Sequence, residues 1–161
     1  MTNRLTAAPA SPLASKKSHE ISRTQKSALV ALFFTRGKEP EMSQSDYRKT
    51  WERYSQSWTC AKLPERVELF KSSLDSDCRY SDPLTATQGW DALVAYMEDF
   101  QRLIPGAYFE VVDFQSHHNT SLARWDMKSA DGAKIGDGHS FGEYNSDGRL
   151  VKMTGFFEPA R

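Results

Sequence analysis

Aromatic residues fall into a regular period at Tyr47, Trp51, Tyr54 and Trp58, three and four apart, the spacing of one buried helix face. Ser45 can cap this first helix, which runs to about Ser57. Tyr54 on its inward side must find a partner for its hydroxyl. A second helix starts at Pro64, a residue suited to a first helical position, and presents Val67, Phe70 and Leu74. The run Asp77-Cys-Arg-Tyr-Ser-Asp-Pro83 then reads as a short strand stopped by proline, with Tyr80 and Asp82 two apart on one side. Gly89-Trp90 opens a third helix through Leu103, whose buried stripe is Leu93, Tyr96, Met97 and Phe100, and Pro105-Gly106 ends it.

From there the period becomes two. Residues 108–116, 121–128, 136–144 and 149–157 read as strands, with Asp131-Gly132 and Asn145-Ser-Asp-Gly148 as the last two turns. If residues 145–148 form the whole loop, Tyr144 faces Arg149, and Gly142, Ser140 and Gly138 face Val151, Met153 and Gly155. A two-residue turn at Asp131-Gly132 sets Met127 against Gly136, Trp125 against Gly138, and Ala123 against Ser140. Ala123, Trp125, Met127, Ser140, Val151, Met153 and Phe157 then share the inner face, and Arg124, Asp126, Asp137, His139, Phe141 and Glu143 the outer one. Strand glycines let another group come close, so the inner face either receives a bulky ring or floors a cavity. Three helices followed by a curled antiparallel meander make an α+β domain.

Charge divides the chain. Residues 1–38 hold seven basic residues against Glu20, a net +6, while the other 14 basic and 20 acidic residues leave the remainder at −6. Residues 1–41, rich in Ser, Ala, Pro and Lys and without a sustained period, read as a disordered basic extension ahead of a domain over 42–161. That composition suits an organelle transit peptide, and an overextended start of translation before Met42 accounts for it equally well. The acidic globular part gives no reason to expect nucleic acid. The apolar run Ala28 to Phe34 is far short of the roughly 20 residues of a spanning helix, so no membrane association is expected. Cys60 and Cys78 read as free thiols of a reducing compartment, and the expected location is cytoplasmic.

Over about residues 44–158 the order helix, helix, Tyr80-Ser-Asp-Pro83, helix opened by Gly89, and the close from Asp147-Gly-Arg-Leu-Val151 to Gly155-Phe-Phe157 resembles the nuclear transport factor 2-like superfamily. Its members include ketosteroid isomerases, SnoaL-like polyketide cyclases, scytalone dehydratase and limonene epoxide hydrolase. The resemblance implies a cone-shaped sheet packed against three helices and, commonly, a homodimer through the outer sheet face. Similarity to the ketosteroid isomerases places Asp82 where that family keeps its proton-shuttling carboxylate and Tyr54 where it keeps a tyrosine that donates to a developing enolate oxygen. Ser140 stands where those enzymes have a second, acidic donor, a departure that weakens the match to steroid isomerisation. The expected ligand is an apolar, carbonyl-bearing small molecule, in a cavity shaped by Tyr80, Met97, Trp125, Ser140, Met153 and Phe157. No cofactor is implied, because the chain has no glycine-rich phosphate loop and proton shuttling needs none.

Three other readings compete. Arg124-Trp-Asp126 resembles the Arg-x-Asp strand of limonene epoxide hydrolase, but the register turns both charges outward and the family's second acid falls at Gly155. His117-His118 and His139, with Tyr54 and Tyr80, resemble the histidine and tyrosine set of scytalone dehydratase, although the histidine pair lies in a polar loop-like run. Neither they nor the cysteines have metal-ligand spacing. The third is a non-catalytic ligand-binding or dimerisation module, in which Trp125 and Phe157 simply fill the cone and Arg124 pairs with Asp126 or Asp137 across a dimer interface.

Overall fold

The computed structural model describes residues 42–159, so the expectations for residues 1–41 fall outside the described residues. Helix α1 spans Gln44–Ser57, and its N-cap is Ser43 rather than Ser45: the Ser43 hydroxyl accepts from the Asp46 amide at 3.2 Å. Its inward residues Tyr47, Trp51 and Tyr54, with Trp58 just beyond, are all buried. Helix α2, Leu63–Ser73, carries Pro64 in its first turn. Arg66, only 3% exposed, donates to the carbonyls of Ser57 at 3.0 Å and Cys60 at 2.6 Å. Those carbonyls lie at the end of α1 and just beyond it and would otherwise lack partners, so one guanidinium fastens the two helices.

Strand β1, Leu74–Ser81, leaves α2 without a loop, and β2, Ala86–Gln88, folds back on it. Helix α3, Trp90–Leu103, follows and is pinned at both ends. The Trp90 indole donates to the Asp75 carbonyl at 2.8 Å, and the Gln101 amide donates to the carbonyls of Trp58 and Ala107, each at 2.8 Å. Strands β3 (Tyr108–His117), β4 (Thr120–Lys128), β5 (Lys134–Tyr144) and β6 (Leu150–Phe156) complete a six-stranded sheet in the order β2-β1-β6-β5-β4-β3. The expected meander is there, but the sheet is not antiparallel throughout, because β1 joins β6 in parallel. The fold is α+β, three helices against a curled and unclosed sheet.

Register carries the most functional information. On β4 and β5 the pairs Ala123 with Ser140, Trp125 with Gly138 and Met127 with Gly136 are those expected. The turn between them is nevertheless three residues long, since the Ser129 amide bonds the Ala133 carbonyl and Gly132 takes φ 87°; a bulge at Met127/Lys128 then restores the alignment.

The last hairpin corrects the expectation. Asn145 pairs with Arg149 through a 2.9 Å bond, Gly148 turns the chain at φ 73°, and Tyr144 lies opposite Leu150. A bulge at Glu143/Tyr144 adds a second one-residue slip, so Gly142 meets Met153 and Ser140 meets Gly155. Beyond both slips, from Glu143 back along β5, each partner moves by two places and the faces stay as expected; between them Tyr144 moves by one, and Leu150 rather than the expected Val151 is the buried residue. Outside, Lys134 lies 2.8 Å from both Asp126 and Asp137. His117 and His118 are exposed at the β3–β4 turn, and His139 is exposed beside Arg124 and Phe156.

Candidate functional site: a carboxylate held by two phenols

Asp82 follows the last residue of β1, where Pro83 prevents the strand from continuing. The chain reverses there in a turn that the aspartate itself builds. Its amide donates to the Thr85 carbonyl at 2.9 Å, while its Oδ1 accepts from the amides of Leu84 at 2.8 Å and Thr85 at 2.9 Å. With Oδ1 committed to the turn, Oδ2 faces the protein. It accepts two phenolic hydrogen bonds, from Tyr80 and from Tyr96, each 2.7 Å long. Tyr80 reaches it from two residues upstream on β1, and Tyr96 descends from α3.

Beneath this group lies Gly155 of β6. A methyl built on it would sit 3.4 Å from the Asp82 Cβ, 3.6 Å from the Tyr80 hydroxyl and 3.7 Å from the Ser140 hydroxyl, so these three side chains converge over one glycine. The register explains it, since Ser140 stands directly across from Gly155. Ser140 is buried and accepts from the Trp125 indole at 3.0 Å. Of the other inner-face glycines, Gly138 is covered by the Trp125 ring, Gly142 by the Trp51 ring and Gly136 by the Met127 side chain.

Rings fill much of the space inside the cone. Trp58 packs against Tyr80, Tyr96, Phe100 and Phe109 with centroids 5.4 to 5.8 Å apart, and the chain of contacts continues through Trp125 to Phe157. Asp82, Tyr96, Phe100, Phe109 and Phe157 are only partly buried and form the outer limit of this cluster. A cleft of about 400 Å³ along β1, β2 and β6 is lined by Tyr80, Arg79 and Lys152, and one of about 510 Å³ lies between α1 and β3; Asp82 lines neither.

Burial pushes the phenols of Tyr80, Tyr96 and Tyr54 well above the ordinary tyrosine range. The hydrogen bond to Asp82 and its charge push Tyr80 and Tyr96 in the same direction. All three stay protonated at physiological pH and serve as neutral donors. Tyr54, 4% exposed, packs edge-on against Trp58 and lies close enough to Asp82 to feel its charge.

Of the residues singled out from the sequence, Asp82, Tyr80 and Ser140 meet at one point, with Trp125 bonded to Ser140 and Phe157 packed on Trp125. Met97 and Met153 are fully buried core residues. Sequence reasoning placed Tyr96 in the buried stripe of its helix and gave it no role at the carboxylate. The rule that sent attention to Tyr54, that an inward-facing phenol must have a partner, applied equally to Tyr96. Among the described residues, no group of three or more His, Cys, Asp or Glu side chains could hold a metal ion, and no helix is long and apolar enough to cross a membrane.

Residues 51–153 match a family model described as a SnoaL-like domain. No curated protein matches the chain. Among solved structures, the chain is similar to a candidate isomerase of the SnoaL-like family from Agrobacterium tumefaciens, at 23% identity and a TM-score of 0.66, over 71% of this chain and 99% of that one. It is also similar to a candidate polyketide cyclase from Sinorhizobium meliloti, at 14% identity and a TM-score of 0.56, over 71% and 99% of the two chains. A candidate ketosteroid isomerase from Kribbella flavida is 17% identical with a TM-score of 0.53, over 73% and 82%. At these identities the likeness shows the shared fold.

Proposed function

The chain belongs to the SnoaL-like domain family, and from that premise we propose that it binds an apolar small molecule bearing a carbonyl group and moves a proton beside that carbonyl. Asp82 is the proton acceptor. The C–H bond next to the carbonyl breaks, the proton goes to Asp82 Oδ2, and the electron pair becomes an enolate whose oxygen takes a hydrogen bond from a neutral phenol. Return of the proton at another carbon is an isomerisation, and attack of the enolate on a second carbonyl is a cyclisation. Tyr54, Tyr80 and Tyr96 are the phenols within reach of the Asp82 charge, and Ser140 adds a hydroxyl over the same glycine. Trp125 and Phe157 form the apolar wall.

One observation carries this reading: the inward oxygen of Asp82 lies beneath aromatic rings with two neutral donors on it. A carboxylate kept only to end a strand would be satisfied by the turn amides alone. The test is deuterium wash-in from D2O into the carbon next to the carbonyl of 2-tetralone, an apolar enolisable ketone, with binding followed by tryptophan fluorescence. Wash-in faster than in buffer supports proton transfer. Saturable binding without it assigns the domain to ligand binding alone, the reading favoured by the number of rings already filling the cone.

A homodimer through the outer sheet face is part of the proposal. Phe156 is 58% exposed and Leu122 44% exposed there, beside Phe141, Arg124 and His139, a mixed apolar and charged surface suited to a two-fold contact. Sedimentation should show a dimer that Phe156→Glu converts to monomer; a wild-type monomer at high concentration removes the dimer from the account.

A further inference from the structure

An ionised carboxylate offers about four lone-pair positions, two on each oxygen. At Asp82 all four are taken: the Leu84 and Thr85 amides occupy Oδ1, and the Tyr80 and Tyr96 hydroxyls occupy Oδ2. No position remains on which a proton could arrive. Asp82 acts as a base only after one donor withdraws, and the four differ in their freedom to do so.

The two amides belong to the turn that Asp82 closes with its own amide, so their loss would mean unfolding that turn. Tyr80 is 8% exposed, and its backbone is paired on both sides, with Thr87 of β2 and Met153 of β6. Tyr96 differs on each count. It is only partly buried, it stands on α3 outside the sheet, and its ring meets Trp58 and Tyr80 at centroid distances of 5.8 Å. The helix itself is held at both ends by Trp90 and Gln101, so the hydroxyl departs by rotation of the side chain.

We propose that Tyr96 is an exchangeable donor, bonded to Asp82 Oδ2 in the empty site and transferred to the ligand's carbonyl oxygen on binding. The single rotation has two effects. It uncovers the lone pair of Oδ2 that takes the proton, and it brings a hydroxyl to the oxygen that becomes negative. A carbonyl oxygen and the carbon that loses its proton are close neighbours in the ligand, and the base and donor are correspondingly adjacent, 2.7 Å apart before binding. Tyr96 is also one of the partly buried rings over the carboxylate, so its movement opens the way in. Selectivity follows: a molecule of the same shape without an acceptor oxygen cannot draw Tyr96 away and leaves the base covered. Tyr54, buried against Trp58, then supports the site from behind and does not touch the ligand oxygen.

This inference rests on the reading of Asp82 as the base, and two measurements separate their fates. In the ligand-free protein, the phenolic protons on Asp82 are followed by proton NMR and assigned with Tyr80→Phe and Tyr96→Phe. The Tyr96 proton should exchange with water faster than that of Tyr80, and the reverse order overturns the proposal without touching the role of Asp82. With carbonyl-13C-labelled 2-tetralone at saturation, the bound C=O stretch should move to lower frequency in wild type and in Tyr54→Phe. The shift should be lost in Tyr96→Phe. Retention in Tyr96→Phe, or loss in Tyr54→Phe, overturns the assignment of Tyr96 while deuterium wash-in continues to support Asp82. Absence of binding and of wash-in removes both.

Discussion

Replacing Gly138 with alanine tests the packing that gathers the site. A methyl there would lie 2.5 Å from the Phe156 carbonyl oxygen and 2.5 Å from a ring carbon of Trp125. Neither neighbour can retreat easily: Phe156 is paired with His139 in the sheet ladder, and the Trp125 indole is tied to Ser140 at 3.0 Å. Overpacking of this kind costs roughly 1–3 kcal/mol, and the stiffer unfolded chain of the alanine variant offsets at most about 0.4–1 kcal/mol of that. With a urea m-value of roughly 1–3 kcal/mol per molar for a small domain, the unfolding midpoint should fall by on the order of 1 M.

Gly155→Ala is the matched control, because its methyl would meet Asp82, Tyr80 and Ser140 only at 3.4 to 3.7 Å, ordinary contact distances. Its midpoint should change little, while under the proposed function the added methyl should weaken binding of 2-tetralone beside Asp82. Urea unfolding followed by tryptophan fluorescence reads both variants. If Gly138→Ala unfolds at the wild-type midpoint, Trp125 does not cover Gly138, and the register that brings Ser140, Gly155 and Asp82 together is wrong.

Two further outcomes follow from groups outside the site. Arg66→Met leaves the Ser57 and Cys60 carbonyls without their buried donor and should destabilise the domain by about 1–3 kcal/mol in the same assay; an unchanged midpoint would show that water replaces the guanidinium there. Burial, aided by the Asp75 charge, pushes the Cys78 thiol from 9.0 up to about 11, so between those pH values the unfolded chain releases a proton that the folded one keeps. Fewer protons bound in the unfolded state mean that stability falls as pH rises through this window. Cys78→Ala should flatten the decline, and an identical pH profile in that variant would contradict the assignment.

The helices were legible because aromatic residues recur at three and four along them, and the sheet faces because alternation survives any even shift of register. What escaped was nonlocal or very short. Leu74 continues the helical spacing of Val67 and Phe70 although the chain has already become strand there, so β1 reads three residues too short at its start. Strand β2 has only three residues and no apolar alternation, and it exists because the Asp82 turn folds it back. The parallel pairing of β1 with β6 joins the first and last strands in sequence and leaves no local mark. Tyr80 and Asp82 could be put together from their separation of two. The second phenol could not, because the rotation of α3 that turns Tyr96 toward Asp82 is set by anchors at Trp90 and Gln101, which bond backbone carbonyls distant in sequence or beyond the helix.

The proposed function rests on Asp82 as a proton acceptor, and Asp82→Asn keeps the shape of that side chain while removing its basicity. Deuterium wash-in into 2-tetralone, compared between wild type and Asp82→Asn with unfolding midpoints measured on both, tests this most directly. The account predicts a folded variant whose wash-in rate falls by roughly 10²–10⁴, the usual contribution of a general base. A folded variant that exchanges deuterium as fast as wild type would contradict it.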